Sequence, residues 1–345
     1  MTICLLGDFS DNLDEGFKNT SHFLAQALSQ RNEVSRLNVK QIKTIDFWRE
    51  LRQCQPSIFH IIAQPTDYSF MFAYLVKKRF PQIKTVISAL RVEKYFVDGI
   101  VQPWQHFLIK KAKPDLICVQ NKLGESSFQR LGCNVAHVPN GVDLDRFCPV
   151  TAVHRQALRI RYGLDTARPV VLHVGHLEAA RNLKILAPLV ETGIQVVIAG
   201  SLYMGTNSSL IDELEAAGFY LFKGFQPQIE ELYQLADCYV FPPQPGDSLS
   251  MPLSVLEAMA CNLPVVTMRF SGLESAFIPG RGLILVDKPE QMLRQVQQMI
   301  YSPHTVQTRQ MVSPYSWQAI AGLLMDHYQA LTTDKQKMLR LETGD

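Results

Sequence analysis

Hydrophobic positions recur along the chain as short uninterrupted runs, and longer amphipathic stretches such as 17–30 and 69–80 separate them. Runs of this length that are apolar on both faces are typical of strands in a parallel sheet covered by helices on both sides. In the first half they predict six β-strands, at 2–7, 33–39, 57–63, 84–90, 115–120 and 134–139.

The same alternation starts again in the second half. The segment 139–169 between the two series holds turn residues, charges and one helical stretch but no strand, and a last amphipathic stretch at 316–331 predicts a helix. We expect two doubly wound Rossmann-like α/β domains, 1–150 and 151–315, facing each other across a cleft that the strand-to-helix loops line. The second series of strands is predicted at 169–175, 194–200, 219–224, 237–242, 263–268 and 282–287.

Composition agrees with a large globular protein. A chain of 345 residues has room for about two domains, and a hydrophobic content of 47% excludes collagen-like and disordered classes. The net charge of +2 gives no general reason to expect nucleic acid as a partner. Residues 1–150 carry a net +5 and residues 151–345 a net −3. This asymmetry favours an anionic ligand or a membrane surface for the first half.

Cysteine usage and the N-terminus indicate a cytoplasmic protein. The seven cysteines have no pairing rhythm and lie mostly in apolar runs, which is typical of reduced thiols in a core. The first residues lack a basic region before their short apolar run, so we interpret that run as a strand and not as a signal peptide. No stretch approaches the roughly 20 apolar residues of a spanning helix, so any membrane contact is expected to be peripheral.

The stretch 237–274 carries the strongest chemical signal. A strand is predicted to end at Pro242, and after a loop of Pro, Gly, Asp and Ser a helix is predicted to begin at about Pro252. The free N–H groups of the first helical turn (Leu253, Ser254, Val255) then form an anion site suited to a diphosphate. Glu257, one turn further, can accept hydrogen bonds from two ribose hydroxyls. The alternative is an ordinary buried helix with a solvated glutamate.

Two further loops contain candidate ligand contacts. Gly175 follows a predicted strand and precedes a predicted helix whose first turns carry His176, Arg181 and Lys184. A glycine there allows close backbone approach, and Arg181 can hold a phosphate through two hydrogen bonds. Gly16 lies at a predicted loop-to-helix junction. Taken alone, these cations also fit a solvated helix face, and a single glycine proves little.

Metal and dinucleotide motifs are weak. Asp143 and Asp145 form an Asp-Leu-Asp sequence inside a longer block, Gly280 and Gly282 precede a strand without the third glycine of a nicotinamide fingerprint, and no cysteine or histidine spacing fits zinc. We therefore predict neither a metal nor a bound cofactor.

Five blocks together resemble a known family. They are PNGVDLDRF (139–147), VGHLEAARN (174–182), FKGFQPQIEELYQLADCYVFP (222–242), PLSVLEAMACNLPVV (252–266) and PYSWQAIAGLLMDHY (314–328). In this order they are similar to the signature blocks of group 1, family 4 retaining glycosyltransferases, which have the GT-B fold. The resemblance spans nearly the whole chain. It implies that 316–345 forms a helix returning to the N-terminal domain.

The resemblance also implies roles for individual residues. Glu257 matches the second Glu of the family's EX7E element and would hold the nucleotide ribose. Arg181 stands where the family usually has a phosphate-binding lysine, and Gly16 matches a glycine beside the donor phosphates. The other implied donor contacts are the backbone of Pro252, Leu253 and Ser254, the turn at Gly175, and the base-binding loop at Gly224 and Phe225.

Three positions depart from the family pattern. The first Glu of EX7E falls on Leu249, two residues from Asp247. The usual arginine of the VGR block is His176, a weaker cation. The histidine that often follows the fourth strand is missing, and Ser88 and Arg91 are the polar residues there.

The resemblance implies transfer of a glycosyl group, with retained anomeric configuration and without a metal, from a nucleoside diphosphate sugar (UDP or GDP) to a hydroxyl of a saccharide, lipid-linked or small-molecule acceptor. Because Leu249 replaces a sugar-contacting Glu, the alternative is a non-catalytic nucleotide-sugar-binding or partner-binding protein. A third possibility is an epimerase or a phosphorylase of the same fold. The basic residues of the first half favour either an anionic lipid surface or simple solvation: Lys77, Lys78, Arg79, Lys84, Lys110, Lys111 and Lys113.

Overall fold

The computed structural model describes residues 1–10, 13, 15–90, 103–200, 208–244, 250–302 and 305–343. The described residues group into two compact units. The first contains those within Met1–Gly141, Ser248–Met251 and Trp317–Asp345, and the second contains those within Val142–Asp247 and Pro252–Ser316. The chain therefore leaves the first unit at Gly141 and returns to it twice.

The first unit is built on a six-stranded parallel sheet in the order β2-β1-β3-β4-β5-β6. Its central strands are almost wholly apolar because helices cover both faces, as the uninterrupted hydrophobic runs predict. The strands are β1 Thr2–Gly7, β2 Glu33–Asn38, β3 Ile58–Ala63, β4 Lys84–Ala89, β5 Leu116–Val119 and β6 Val135–His137.

Helices flank this sheet, and the last helix of the chain is one of them. Tyr328 of that helix is fully buried, and its hydroxyl lies 2.5 Å from Nδ1 of His60 on β3. Trp317 packs so closely on Gly141 that an added Cβ would lie 2.6 Å from the indole ring. The helices are α1 Gly16–Ser29, α2 Ile45–Cys54, α3 Asp67–Arg79, α4 Pro103–Lys111, α5 Lys122–Arg130 and, after the second unit, α14 Trp317–Thr343.

The second unit has a six-stranded parallel sheet in the order β12-β11-β10-β7-β8-β9. This is the doubly wound order in which the first and fourth strands of the unit are neighbours. Its helices are α6 Ala152–Arg161, α7 Ala187–Glu191, α8 Ser208–Ala216, α9 Ile229–Leu235, α10 Leu253–Ala260, α11 Ser271–Glu274, α12 Pro289–Tyr301 and α13 Thr308–Val312. Its strands are β7 Val170–Val174, β8 Gln195–Gly200, β9 Tyr220–Lys223, β10 Cys238–Phe241, β11 Val265–Met268 and β12 Leu283–Val286.

All twelve predicted strands are present, and the prediction of two doubly wound parallel sheets is confirmed. The final helix continues past the amphipathic stretch 316–331 to Thr343, within the range 316–345 that the resemblance implies. The helix predicted to begin at Pro252 begins at Leu253, because Pro252 has an extended ψ of 131° and is the N-cap.

The segment after β7 also differs from the predicted helix. It forms two short 3-10 helices, Ala179–Arg181 and Leu183–Leu186, before α7. Asn182 separates them with φ +52°, a left-handed conformation that an α-helix does not contain. His176, Arg181 and Lys184 therefore do not share the face of one regular helix.

Candidate functional site

The candidate site lies at the carboxyl ends of β7 and β10, the neighbouring strands from which the second sheet winds in opposite directions. Ligands of open α/β sheets bind at this switch point. The two loops that leave these strands are joined there: the backbone N–H of Gln244 donates to the carbonyl of Ala180 at 3.0 Å, and its side-chain amide donates to the carbonyl of Ala179 at 3.2 Å.

Helix α10 starts at this edge of the sheet. Its first main-chain hydrogen bond that reaches back to the N-cap runs from the N–H of Leu256 to the carbonyl of Pro252, at 3.4 Å. The N–H groups of Leu253, Ser254 and Val255 come earlier and have no acceptor within the helix. Proline supplies no capping side chain, so this turn suits an anionic ligand.

Glu257 lies one turn into α10, and a tyrosine of another helix donates a hydrogen bond to its carboxylate. The hydroxyl of Tyr233 on α9 donates to Oε2 of Glu257 at 2.7 Å. Burial raises the pKa of Glu257 to about 7, against the lowering effects of the Tyr233 hydrogen bond and the charge of Arg146. The pKa of Tyr233 is raised well above its ordinary value, mainly by burial, so the phenol remains a donor.

Arg181 ends the first 3-10 helix with its side chain only 15% exposed. Its guanidinium carbon lies 5.5 Å from the centre of the Phe241 ring, and Nε lies 3.3 Å from Oε1 of Glu178. Within the part of the chain that the structure describes, neither Nε nor Nη1 has a hydrogen-bond partner. The guanidinium is therefore ion-paired with Glu178 but keeps buried N–H groups without a hydrogen-bond acceptor among these residues, and such groups are suited to binding an anion.

A ladder of rings connects Arg181 to Glu257 beneath the site. Phe241 stacks on His173 with ring centres 5.8 Å apart, and His173 stacks on Tyr239 at 6.4 Å. Tyr239 then packs on Tyr233 at 5.8 Å, and the Tyr233 hydroxyl reaches Glu257. Side chains of β7, β10 and α9 therefore connect Arg181 to Glu257 through continuous packing.

His173 is a structural part of this ladder. Its Nδ1 lies 3.0 Å from the carbonyl of Val240, which can only accept, so Nδ1 carries the proton. Burial lowers the pKa of His173 to about 4, and the ring is neutral at pH 7. Neutrality removes charge repulsion with the nearby Arg181.

Glycines allow the loops to close over the strand ends. A Cβ on Gly200 would lie 2.7 Å from the carbonyl oxygen of Gly175 and 2.6 Å from Cγ of Leu177. A Cβ on Gly175 would in turn lie 3.0 Å from Nε2 of His173. Gly224 follows β9 with φ +84°, a conformation that favours glycine, and Phe225 next to it is 47% exposed.

The structure brings most of the predicted donor residues to this edge of the second sheet: Gly175, His176, Arg181, Pro252, Leu253, Ser254 and Glu257. One predicted residue lies elsewhere: Gly16 is the first residue of α1 in the first unit. Leu249, together with Asp247, lies outside the described residues, as does Arg91.

The Asp143 and Asp145 pair has a local structural role. Oδ1 of Asp143 accepts from the backbone N–H groups of Asp145 and Arg146 at 3.1 and 3.0 Å, which closes a turn. No cluster of three His, Cys, Asp or Glu side chains suited to a metal occurs among the described residues.

Sequence reasoning missed Tyr233, Phe241 and Gly200. Phe241 and Gly200 end strands at this edge, a position that could have singled them out. Tyr233 gave no such signal, because its contact with Glu257 joins two helices 24 residues apart.

Comparison with known proteins finds similarity over part of the chain. Residues 154–318 match the family model described as glycosyl transferases group 1. The chain is 28% identical over 229 residues to a GDP-mannose-dependent alpha-(1-6)-phosphatidylinositol dimannoside mannosyltransferase of Mycobacterium tuberculosis, covering 62% of this chain and 57% of that protein. It is 34% identical over 169 residues to a D-inositol 3-phosphate glycosyltransferase of Geodermatophilus obscurus, covering 44% of this chain and 36% of that protein.

These matches make residues 154–318 similar to glycosyl transferases group 1. The chain spans about half the length of the first curated relatives it matches.

Solved structures show the fold. A sucrose-phosphate synthase from Thermosynechococcus elongatus superposes with a TM-score of 0.77 at 16% identity, over 97% of this chain and 100% of that one. HepE of Anabaena in complex with UDP superposes with a TM-score of 0.69 at 14% identity, over 98% of this chain and 99% of that one. With its two six-stranded parallel sheets, the chain has the GT-B fold that the sequence predicted.

Proposed function

We propose that this protein is a glycosyltransferase that moves a sugar from a nucleoside diphosphate sugar to an acceptor hydroxyl, with retained configuration and without a metal ion. The observation that carries the proposal is that the ladder of rings connects Arg181 to Glu257. The guanidinium of Arg181 has buried N–H groups without a hydrogen-bond acceptor in the described part of the chain and suits a diphosphate. The carboxylate of Glu257, one turn into α10, suits a ribose. The mannosyltransferase relative, by its name, uses GDP-mannose.

The reaction requires stabilisation of a diphosphate leaving group as negative charge develops on it. Arg181 and the N–H groups at the start of α10 would meet that charge, and groups preorganised in this way contribute several kcal/mol each. In this proposal a donor phosphate oxygen takes the acceptor proton, so no catalytic carboxylate is needed on that face. His176, in the same unit, would complete the phosphate side.

The experiment is a screen of UDP and GDP sugars with purified protein, first for binding by calorimetry and then for transfer to a pool of saccharide and lipid acceptors. We expect micromolar binding of one nucleotide class, and transfer of its sugar with the anomeric configuration of the donor. Failure of every nucleotide sugar to bind contradicts the proposal.

A second function is favoured by one sequence observation. Leu249 replaces the acidic residue that the family pattern places against the transferred sugar. A nucleotide-sugar-binding protein without turnover would keep Arg181 and Glu257 and lose that residue. In the same screen it would bind donors and give neither transfer nor hydrolysis.

For the acceptor side we propose peripheral contact with an anionic membrane through α3 and α4. These helices pack together, and Gln105 on α4 donates to Oδ2 of Asp67 on α3 at 2.8 Å. Tyr68 and Leu75, two turns apart on α3, are exposed together with Phe107 on α4. The ammonium of Lys111 lies 5.2 Å from the centre of the Phe107 ring.

Aromatic and apolar side chains beside lysines are suited to an anionic interface, where each nearby cation contributes about 1 kcal/mol. Not every basic residue of the region is available. Lys77 and Lys84 both pair with Asp115, at 2.9 and 3.5 Å. The relatives named for phosphatidylinositol mannosides support a lipid-linked acceptor. No described helix is both long and apolar enough to cross a bilayer.

Vesicle flotation tests this surface. We expect binding to vesicles that contain phosphatidylglycerol, weakened by the paired substitutions Tyr68→Ser and Phe107→Ser and by high salt. Ile278→Ser and Ile160→Ser remove exposed apolar side chains of the second unit and are expected to have no effect. Flotation independent of anionic lipid and of these substitutions would contradict the membrane contact.

A further inference from the structure

Two buried side-chain amides and the main chain of Met251 form a closed ring of hydrogen bonds. The N–H of Met251 donates to Oε1 of Gln120 at 3.3 Å, and Nε2 of Gln120 donates to Oδ1 of Asn140 at 2.7 Å. Nδ2 of Asn140 then donates to the carbonyl of Met251 at 2.7 Å, which closes the ring. The three residues are 4%, 9% and 1% exposed.

The ring fixes the orientation of both amides. Turning either amide over would place oxygen against oxygen and nitrogen against nitrogen at its two contacts. Because both the donor and the acceptor of the Met251 main chain are held, this one residue is fixed in position and direction. A buried amide that loses its partners is destabilising, because water cannot replace the lost hydrogen bonds, so breaking one link leaves the other polar groups unsatisfied.

The ring of hydrogen bonds lies just before the start of α10 in the chain, so it can affect function as well as stability. Gln120 follows β5, and Asn140 follows β6, in the first unit. Met251 belongs to the same unit, but Pro252, the N-cap of α10, belongs to the second. Gln120 and Asn140 therefore hold the main chain at Met251, two residues before the first residue of α10, whose N–H groups are proposed to bind the diphosphate.

We propose that Gln120 and Asn140 are positioning residues, which hold the segment entering α10 in the geometry that sugar transfer requires. This inference rests on the proposed function, and it assigns the amides no contact with substrate. The body of α10 is fixed independently, because Val255, Leu256, Ala258 and Met259 are fully buried. Loss of the ring should therefore impair transfer more than nucleotide binding.

The second unit contains a matched control. Gln195 is also buried, at 1% exposure, and its amide also holds a main-chain turn. Its Oε1 accepts from the N–H of Asp165 at 2.8 Å, and its Nε2 donates to the carbonyls of Asp165 and Arg168. Methionine has nearly the volume of glutamine and removes these bonds without opening a cavity.

The test compares Gln120→Met with Gln195→Met by transfer kinetics, calorimetry and thermal unfolding. We expect Gln120→Met to lower kcat by about tenfold or more, with the Kd for the nucleotide sugar changed by less than about twofold. Gln195→Met should lower the unfolding temperature by a comparable amount and leave kcat within about twofold. Equal loss of kcat in both variants, or loss of Kd and kcat together in Gln120→Met, overturns the inference.

Hydrogen exchange separates this inference from the proposed function. In Gln120→Met the amides of Met251, Leu253 and Ser254 should exchange faster, by about tenfold, and in Gln195→Met they should not. If the wild-type protein transfers no sugar, the proposed function fails, and this exchange pattern still decides whether the ring positions the start of α10. Faster exchange at Met251 alone contradicts the positioning role.

Discussion

The phenol of Tyr233 lies 2.7 Å from Oε2 of Glu257 and donates its hydrogen bond there, although the two residues belong to different helices. A carboxylate can accept about four hydrogen bonds, so this contact orients Glu257 without using up its capacity. It also stabilises the charged form of a carboxyl group whose burial favours the neutral one. The pKa of Glu257 therefore depends on two opposed effects, burial and the Tyr233 hydrogen bond.

Nucleotide-sugar affinity should rise with pH around neutrality. With a pKa of about 7, Glu257 is charged in about a tenth of molecules at pH 6 and about nine-tenths at pH 8. Ribose hydroxyls donate to the charged form, so binding lowers the pKa and releases a proton. We expect affinity by calorimetry to increase about tenfold between pH 6 and pH 8, and Glu257→Gln to abolish the dependence. Affinity that falls over this range would contradict the assignment.

Tyr233→Phe should shift that pH dependence upward. The substitution removes the hydrogen bond that lowers the pKa of Glu257 but retains the ring contacts with Phe147 and Tyr239. The midpoint of the affinity curve should therefore move to higher pH, with weaker binding at pH 7. Tyr162→Phe is the control, because Tyr162 also donates to a carboxylate, Glu231, at 2.7 Å. An unchanged midpoint in Tyr233→Phe would show that the hydrogen bond does not tune Glu257.

Arg181→Ala should weaken binding of a nucleoside diphosphate far more than binding of the nucleoside. Hydrogen bonds to a charged group contribute about 1.5–3 kcal/mol, which corresponds to a loss of about tenfold to a hundredfold. Lys184→Ala is the control, since Lys184 is more than half exposed and pairs with Glu213. Equal losses for nucleoside and diphosphate, measured by calorimetry, would remove Arg181 from the phosphate site.

Much of the fold could be read from the sequence, because buried parallel strands leave uninterrupted apolar runs. Val170–Val174 and Cys238–Phe241 are examples, and their adjacency follows from the doubly wound order. The helix predicted after Gly175 was wrong, since no periodic pattern announces the left-handed Asn182 that divides the segment. The apolar pattern of α14 fades after residue 331, so its extension to Thr343 was predicted only through the family resemblance.

The site was predictable only in part. Position at strand ends and the family resemblance singled out Arg181 and Glu257. The ladder that carries them was not predictable, because His173, Tyr239 and Tyr233 meet through side-chain packing across β7, β10 and α9. The amide ring around Met251 joins residues 111 and 131 positions apart, and no local pattern in the sequence encodes such contacts.

Gly200→Ala should damage the site without entering it. The added methyl would meet the carbonyl oxygen of Gly175 at 2.7 Å and push the loop that carries Arg181 away from the strand ends. We expect nucleotide affinity to fall about fivefold or more, the loss that corresponds to the lower end of the about 1–3 kcal/mol that overpacking costs. Gly322→Ala on α14 meets nothing within 4 Å and should be tolerated. Unchanged calorimetric affinity in Gly200→Ala would show that the loop adapts freely.

We propose that one nucleotide spans Arg181 and Glu257. A crystal structure of the protein with bound UDP or GDP, whichever the binding screen selects, decides whether it does. We predict the ribose hydroxyls within hydrogen-bond distance of the Glu257 carboxylate, and the diphosphate on Nε and Nη1 of Arg181 and the N–H groups of Leu253 and Ser254. A nucleotide seated in the first unit, or one bound with the Arg181 donors still unused, would contradict the account.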